Sequence, residues 1–341
     1  MKNLTKYKAF WPTVAFVVLL IFNAFFTKNF FAISIVDGHL FGNLIDIIKN
    51  VSPLALLSIG MTLVIATGGI DISVGSVVAI SGALACSIID KRLGFFDGSL
   101  AAALIFGLLA GVLCGLWNGF LVSKVKIQPI VATLILMTAG RGVAQLITKG
   151  KIVTINSAPM MKQYYFLGAG YFLGLPFAIF IVAIILVGML MLVRKTAFGL
   201  FLESLGINSR SSRLSGVNTD RIKLVVYTIS GFMAALSGIL ISSNIKGADC
   251  NNAGLFIEMD AILSVAIGGN SLAGGRFSIT SSVLGAFVIQ CLTTTVYAFG
   301  VPPETILLVK AFVIVILCLF QSQSFRQKLM AWREGKKVHS A

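Results

Sequence analysis

Apolar residues run along this chain in long blocks, without the alternation of a barrel strand or the one-sided stripe of a soluble helix. Short polar segments separate the blocks. Bilayer hydrocarbon is about 30 Å thick and takes roughly 20 apolar residues per helical span. The blocks predict an all-α polytopic membrane protein of about ten transmembrane helices. These fall at about 10–27, 51–67, 72–89, 99–122, 127–147, 174–193, 224–243, 254–269, 278–298 and 305–321. Helices are the element expected, since lipid offers no partner for a backbone amide and the blocks do not alternate.

Charge orients the spans. With the N-terminus in the cytoplasm, Lys124, Lys126, Arg194, Lys195, Arg210, Arg213, Arg221, Lys223 and Arg276 fall inside, as do Lys2, Lys6, Lys8 and the tail from Arg326 to Lys337. Fewer basic residues fall outside, as the positive-inside rule requires. Both termini are therefore expected in the cytoplasm. The eighth span carries Glu258 and Asp260, and a mid-bilayer charge costs about 2.5–3.5 kcal/mol on insertion scales. Dropping that span would export the basic tail, so it is kept, with its acidic end near the outer interface or facing a cavity. The block from Ala9 to Phe26 is too long for a signal's apolar region and ends without small residues, so it reads as a retained first span.

Composition agrees. Of 341 residues, 57% are hydrophobic and only 11% charged, against about 25% charged in a soluble domain. The net charge of +15 lies in the segments between blocks, which is a membrane pattern; no nucleic-acid binding is expected. Cys86, Cys114, Cys291 and Cys318 lie in apolar blocks and Cys250 in a polar segment, a set that gives neither a disulfide framework nor a zinc site. His39 and His339 are too isolated to suggest a metal.

Two Gly-rich breaks share the spacing G-G-x-x-[I/L]-x-x-G. The first contains Gly68, Gly69, Asp71, Ser73 and Gly75; the second contains Gly268, Gly269, Gly274 and Gly275. Glycine permits sharp turns and close backbone approach, and interrupted segments in corresponding positions can mark the working centre of a transporter. Tight interhelical turns are the plainer reading. Asp71 is placed to accept hydrogen bonds from the amides that open the third span. The inner segment 194–223 interleaves Phe198, Phe201, Leu205 and Leu214 with Glu203, Asn208 and Arg213, which suggests a short amphipathic helix broken at Gly206. A basic loop held by anionic lipid headgroups would look similar. Within spans, Asn118, Thr133, Arg141 and Gln145 are candidates for a substrate path, although interhelical hydrogen bonds would explain them as well.

Gly68–Ser76 resembles the signature of the permease subunits of bacterial sugar ABC importers, the ribose-type family. The resemblance runs over nearly the whole chain, through Gly115–Gly119, Gln128–Leu134 and Gly268–Arg276. Leu40–Asn43, Ala139–Thr148 and Lys246–Leu255 are most similar to the galactofuranose-importing branch. The resemblance implies one transmembrane permease domain over 1–341, with a cytoplasmic coupling loop at 194–223 and a basic cytoplasmic tail at 322–341. It makes Glu203 to Gly216 the coupling helix, with Glu203, Leu205, Gly206, Asn208, Arg213 and Gly216 facing a separate ATP-binding cassette subunit. That subunit would hold ATP and Mg; this chain would bind no cofactor and hydrolyse nothing. The other implied partners are a periplasmic sugar-binding protein and a second permease subunit, a related but different chain. Lys246, Asn251, Asn252 and Glu258, placed outside, become candidates for docking the binding protein. The substrate implied is a monosaccharide, galactofuranose or a similar sugar, carried across the inner membrane. An ion-coupled secondary transporter is the alternative; it would need buried carboxylates in mid-span, which Asp71, Glu258 and Asp260 do not provide by position. A membrane-embedded enzyme would want a converging cluster of reactive groups.

Overall fold

The computed structural model describes residues 9–27, 29–36, 39–94, 98–156, 160–300, 305, 307–312 and 315. Most of the tenth expected span, the tail at 322–341 and Lys2, Lys6 and Lys8 lie outside these residues. The helices are α1 (Phe10–Phe26), α2 (Asn43–Ala66), α3 (Val74–Ile89), α4 (Leu100–Phe120), α5 (Pro129–Thr148), α6 (Met161–Ala169), α7 (Phe177–Lys195), α8 (Ala197–Ile207), α9 (Ser209–Leu214), α10 (Thr219–Asn244), α11 (Ile257–Ile267) and α12 (Ile279–Ala298). A π-helical turn at Leu121–Val125 continues α4.

Six of these are long and apolar enough to cross a membrane: α2, α4 with its π turn, α5, α7, α10 and α12. Helices α1 and α3 are apolar but shorter, at 17 and 16 residues. The protein is thus a multi-pass membrane protein. Local chemistry sets the ends. Ser99 accepts a hydrogen bond from the Ala102 amide to open α4, and Pro129 starts α5 where no amide partner is needed.

Helix α10 is the hub, packed on α2, α3, α4 and α6. Its contact with α4 uses glycines one turn apart, Gly111, Gly115 and Gly119, which lets the backbones approach as small residues do in membrane bundles, while Gly107 one turn earlier faces Ser81 of α3. A Cβ at Gly115 would lie 2.8 Å from the Thr228 Cα and would strike the Tyr227 carbonyl. Helices α2, α10 and α12 are mostly buried, whereas α4, α5 and α7 expose most of their apolar length.

Short antiparallel ribbons gather at the end of the bundle where α2 begins. β1 (Ser34–Val36) pairs with β2 (His39–Phe41), β3 (Val153–Thr154) with β6 (Gly247–Ala248), and β4 (Tyr171–Phe172) with β5 (Leu175–Pro176). His39 stacks on Tyr171 at 4.6 Å and joins the first and third ribbons.

Two expectations change. Helix α2 starts at Asn43 rather than 51, because its first turns are polar, with Asp46, Lys49 and Asn50, and carry no hydropathy signal. The segment expected to span at 254–269 holds only the 11-residue α11, which rises about 16 Å. The chain nevertheless passes from end to end here. Residues 247–248 pair with β3 at the ribbon end, Gly254 packs on Gly75, and Gly268 packs on Ser281 at the start of α12.

Candidate functional site

The two Gly-rich breaks meet. Helix α2 ends at Ala66, whose carbonyl accepts a hydrogen bond of 3.0 Å from the Gly275 amide. Gly68 and Gly274 have φ of +78° and +93°, and a Cβ on Gly274 would lie 2.9 Å from the Gly68 nitrogen. Only glycine fits that combination of left-handed backbone and close approach. Helix α8 then lies on the junction: a Cβ at Gly206 would strike both the Ala66 carbonyl oxygen and the Gly275 amide. The expected helix break at Gly206 is therefore corrected. α8 continues through Gly206 to Ile207, and the interruption falls at Asn208, whose side chain accepts from the Ser211 amide at 3.0 Å to cap α9.

Asp71 holds the first break. Its Oδ1 accepts from the Ser73 amide at 3.1 Å and the Ser73 hydroxyl at 2.6 Å, and its Oδ2 accepts from Ser230 of α10 at 2.8 Å. Asp71 thus closes the turn before α3 through Ser73 and accepts from none of the amides of α3 itself, so the expected cap lies one residue ahead of the helix, and it also ties that turn to α10. Ser73 also accepts from the Asn118 amide of α4 at 2.8 Å. Asn118 Oδ1 and the Tyr227 hydroxyl, both fully buried beside this network, have no protein partner among the described residues. Gly69 leaves room for that hydroxyl, since a Cβ there would sit 2.5 Å from it.

Asn270 does the same work in the second break. Its Oδ1 accepts from the Ser278 amide at 2.7 Å, and its Nδ2 donates to Ser282 at 2.8 Å. Thr62 of α2 donates to Ser282 at 2.7 Å, so both breaks are pinned to the helix that follows and to a central helix. The shared spacing announces the two breaks. It does not announce Ser282 in the helix that follows the second break, nor Ser230, Tyr227 and Thr62, which ordinary apolar helices deliver from far along the chain.

Among the coupling residues, Leu205 is buried, Glu203 half-buried, and Asn208, Arg213 and Gly216 exposed. Arg213 donates to Asp220 Oδ2 at 2.7 Å and Lys126 to Asp220 Oδ1 at 2.5 Å, which ties α9 to the start of α10 and the end of the π turn. Leu200, Ile207 and Leu214 are largely exposed, an apolar patch on α8 and α9.

The four path candidates do not line one channel. Asn118 and Thr133 are buried against the first break, with the Thr133 hydroxyl 3.4 Å from the Ile70 carbonyl. Arg141 donates to the carbonyls of Cys250 at 3.2 Å and Ala253 at 2.6 Å, and Gln145 donates to Asn251 at 2.8 Å. These two instead hold the segment between β6 and α11 against α5. Partial burial works against the charge of Asp249 there. Hydrogen bonds from the Asn252 side chain and the amides of Asn251 and Asn252 outweigh it and hold the carboxyl below its usual range. Of the docking candidates, Asn251 and Asn252 are exposed and Lys246 lies 4.4 Å over the Tyr165 ring. Glu258 is buried with its carboxylate 2.5 Å from where a Gly75 Cβ would sit, so it offers nothing to a docking partner.

Residues 43–318 match the family described as branched-chain amino acid transport system / permease component. A galactofuranose transporter permease from Escherichia coli strain K12 is 49% identical over 333 residues, 96% of this chain and 95% of the relative. A fructose import permease from Bifidobacterium longum is 37% identical, covering 94% of this chain and 90% of the relative. A ribose import permease from Escherichia coli strain K12 is 34% identical over 310 residues, 91% and 92% of the two chains. No solved structure matches the chain. The paired breaks joined under α8 therefore sit in a membrane subunit and not in an enzyme, and the chain belongs to the permease-component family of ABC importers.

Proposed function

We propose that this chain is the pore-forming subunit of an ATP-driven importer for a monosaccharide, galactofuranose or a sugar of similar shape, in the bacterial inner membrane. The substrate rests on the relatives, which import galactofuranose, fructose and ribose. The coupling rests on one observation: Gly206 of α8 packs against backbone from both breaks at once. An ATPase subunit that moves α8 would move both breaks together, with no side chain to absorb the displacement. ATP and Mg stay on that subunit, which docks on the exposed Leu200, Ile207 and Leu214 patch within residues 194–223.

About ten spans with both termini in the cytoplasm fit this arrangement. The stretch 254–269, which holds α11, makes one crossing, which keeps the parity that the positive-inside rule asks for. Lys246, Asn251 and Asn252 would then face the periplasmic binding protein. A second permease, a related but different chain, would cover part of the exposed apolar face of α4 or α5.

Uptake into proteoliposomes holding the complete importer and loaded binding protein tests the reading. Uptake should need ATP on the inner side and ignore a proton ionophore. Gradient-driven uptake without ATP would favour an ion-coupled carrier and overturn it.

A further inference from the structure

Beside the ion pair of Asp260 lies a half-enclosed cavity of about 240 Å³ that belongs to neither break nor the α5 face. Lys49 and Asn50 of α2, Asn244 of α10, Asp260 of α11 and Gln290 of α12 converge on it, with Leu54, Leu240, Ile241 and Ile257 between them. Pro53 also lines it. Proline has no N–H, so the Lys49 carbonyl is released from the α2 ladder within the cavity wall. At about 30 Å³ per water the space holds about eight waters, the room of one monosaccharide.

The charges around it are balanced. Asp260 accepts from Lys310 at 2.7 Å, and Asp46 lies one turn from Lys49 on α2 and attracts it. Neither an anion nor a cation gains from that arrangement. What remains unengaged is neutral: the side chains of Asn50 and Asn244 make no hydrogen bond among the described residues, and Gln290 makes only a long one of 3.5 Å to Thr294. Three carboxamides, each a paired donor and acceptor, suit the vicinal hydroxyls of a polyol. The leucine and isoleucine walls suit its C–H faces.

We propose that this cavity between α2, α10, α11 and α12 binds one neutral monosaccharide within a single permease chain. The site rests on the sugar-permease reading and adds to it a resting place that does not depend on the partner permease or the binding protein. Cargo held there would wedge α11, and through it the second break, before any ATP is spent.

Equilibrium binding of radiolabelled D-galactose and D-ribose to the purified membrane and ATPase subunits, without binding protein and without ATP, tests it. The expected result is saturable binding at one sugar per copy of this chain. Asn244→Leu and Gln290→Leu should weaken it at least tenfold, and Thr138→Ala on α5, whose hydroxyl bonds only the Leu134 carbonyl of its own helix, should leave it unchanged. If Asn244→Leu or Gln290→Leu fails to assemble, Asn50→Ala at the cavity lip gives the same reading and should weaken binding several-fold. Binding absent for both sugars, or lost with Thr138→Ala and kept in the cavity variants, overturns the site. Binding abolished by added glycolipid but unaffected by free sugar would make the occupant a lipid headgroup and likewise overturn it. ATP-driven uptake by the same preparation, with binding protein restored, reports on transport separately, so failure of the cavity and failure of the importer reading are distinguishable.

Discussion

Asp71 shows what a single residue contributes. Its two oxygens accept three hydrogen bonds, two from Ser73 and one from Ser230, in a place where water does not compete. Asp71→Asn keeps one acceptor oxygen for Ser73 and leaves Ser230 to turn and accept, so part of the sugar uptake should survive. Asp71→Leu strands the Ser73 amide and two hydroxyls at about 1–3 kcal/mol for each buried group. Uptake should fall to background in Leu and stay measurable in Asn at matched expression, with a lower melting temperature in Leu. Equal loss in both, with normal assembly, would mean that the charge itself carries the role. The place of Asp71 between Gly69 and Gly75 is enough to suggest an acceptor for the turn into α3. Its bond to Ser230 is different, because that partner lies far along the chain in a helix whose pattern says only that it is apolar. Glu258 misleads for the related reason that a carboxylate at a span end looks exposed until Gly75, with no side chain, is seen to admit it.

At the scale of elements, hydropathy announces the long helices and misses whatever packing decides. α2 opens with Asp46, Lys49 and Asn50, and these read as loop although they are helical. α11 reads as a span because Gly254, Leu255 and Phe256 before it and Gly268 and Gly269 after it lengthen the run, while the helix itself has 11 residues. The glycines of α4 look like ordinary small residues in an apolar block. Their role appears only where α10 comes within reach of their Cα atoms. Gly115→Val should therefore disturb assembly more than its apolar character suggests, since the new side chain meets Tyr227 and Thr228 backbone and overpacking of this kind costs about 1–3 kcal/mol. Thermal unfolding in detergent should fall by several degrees. Gly188→Val on α7, where nothing lies within 4 Å of a Cβ, should be neutral. If the two variants were equally stable, the α4–α10 contact would not be limiting. Arg213 presents the opposite case. Its guanidinium is largely exposed although Asp220 is mostly covered, Lys126 remains as a second partner for that carboxylate, and pairs with an exposed member contribute about 0–1 kcal/mol. Arg213→Ala should leave unfolding almost unchanged, and a marked loss of uptake in that variant would assign Arg213 to the ATPase contact.

For the whole molecule, three parts that lie apart in the sequence come together. The helix pair α8 and α9, two Gly-rich breaks and the polar segment before α11 become one connected path: Gly206 on Ala66 and Gly275, Gly68 on Gly274, and Gly75 on Gly254 and Glu258. Backbone meets backbone at each step but the last, which suits a device that transmits displacement between two arrangements. The ratio of sugar imported to ATP hydrolysed, measured in proteoliposomes for wild type and Gly206→Ala at equal insertion, tests this most directly. Alanine raises the intrinsic stability of α8 by about 1 kcal/mol, so any loss reflects the lifted contact and not a weakened helix. The account predicts that hydrolysis stays within about twofold while uptake falls at least tenfold. Uptake by Gly206→Ala equal to wild type would contradict it.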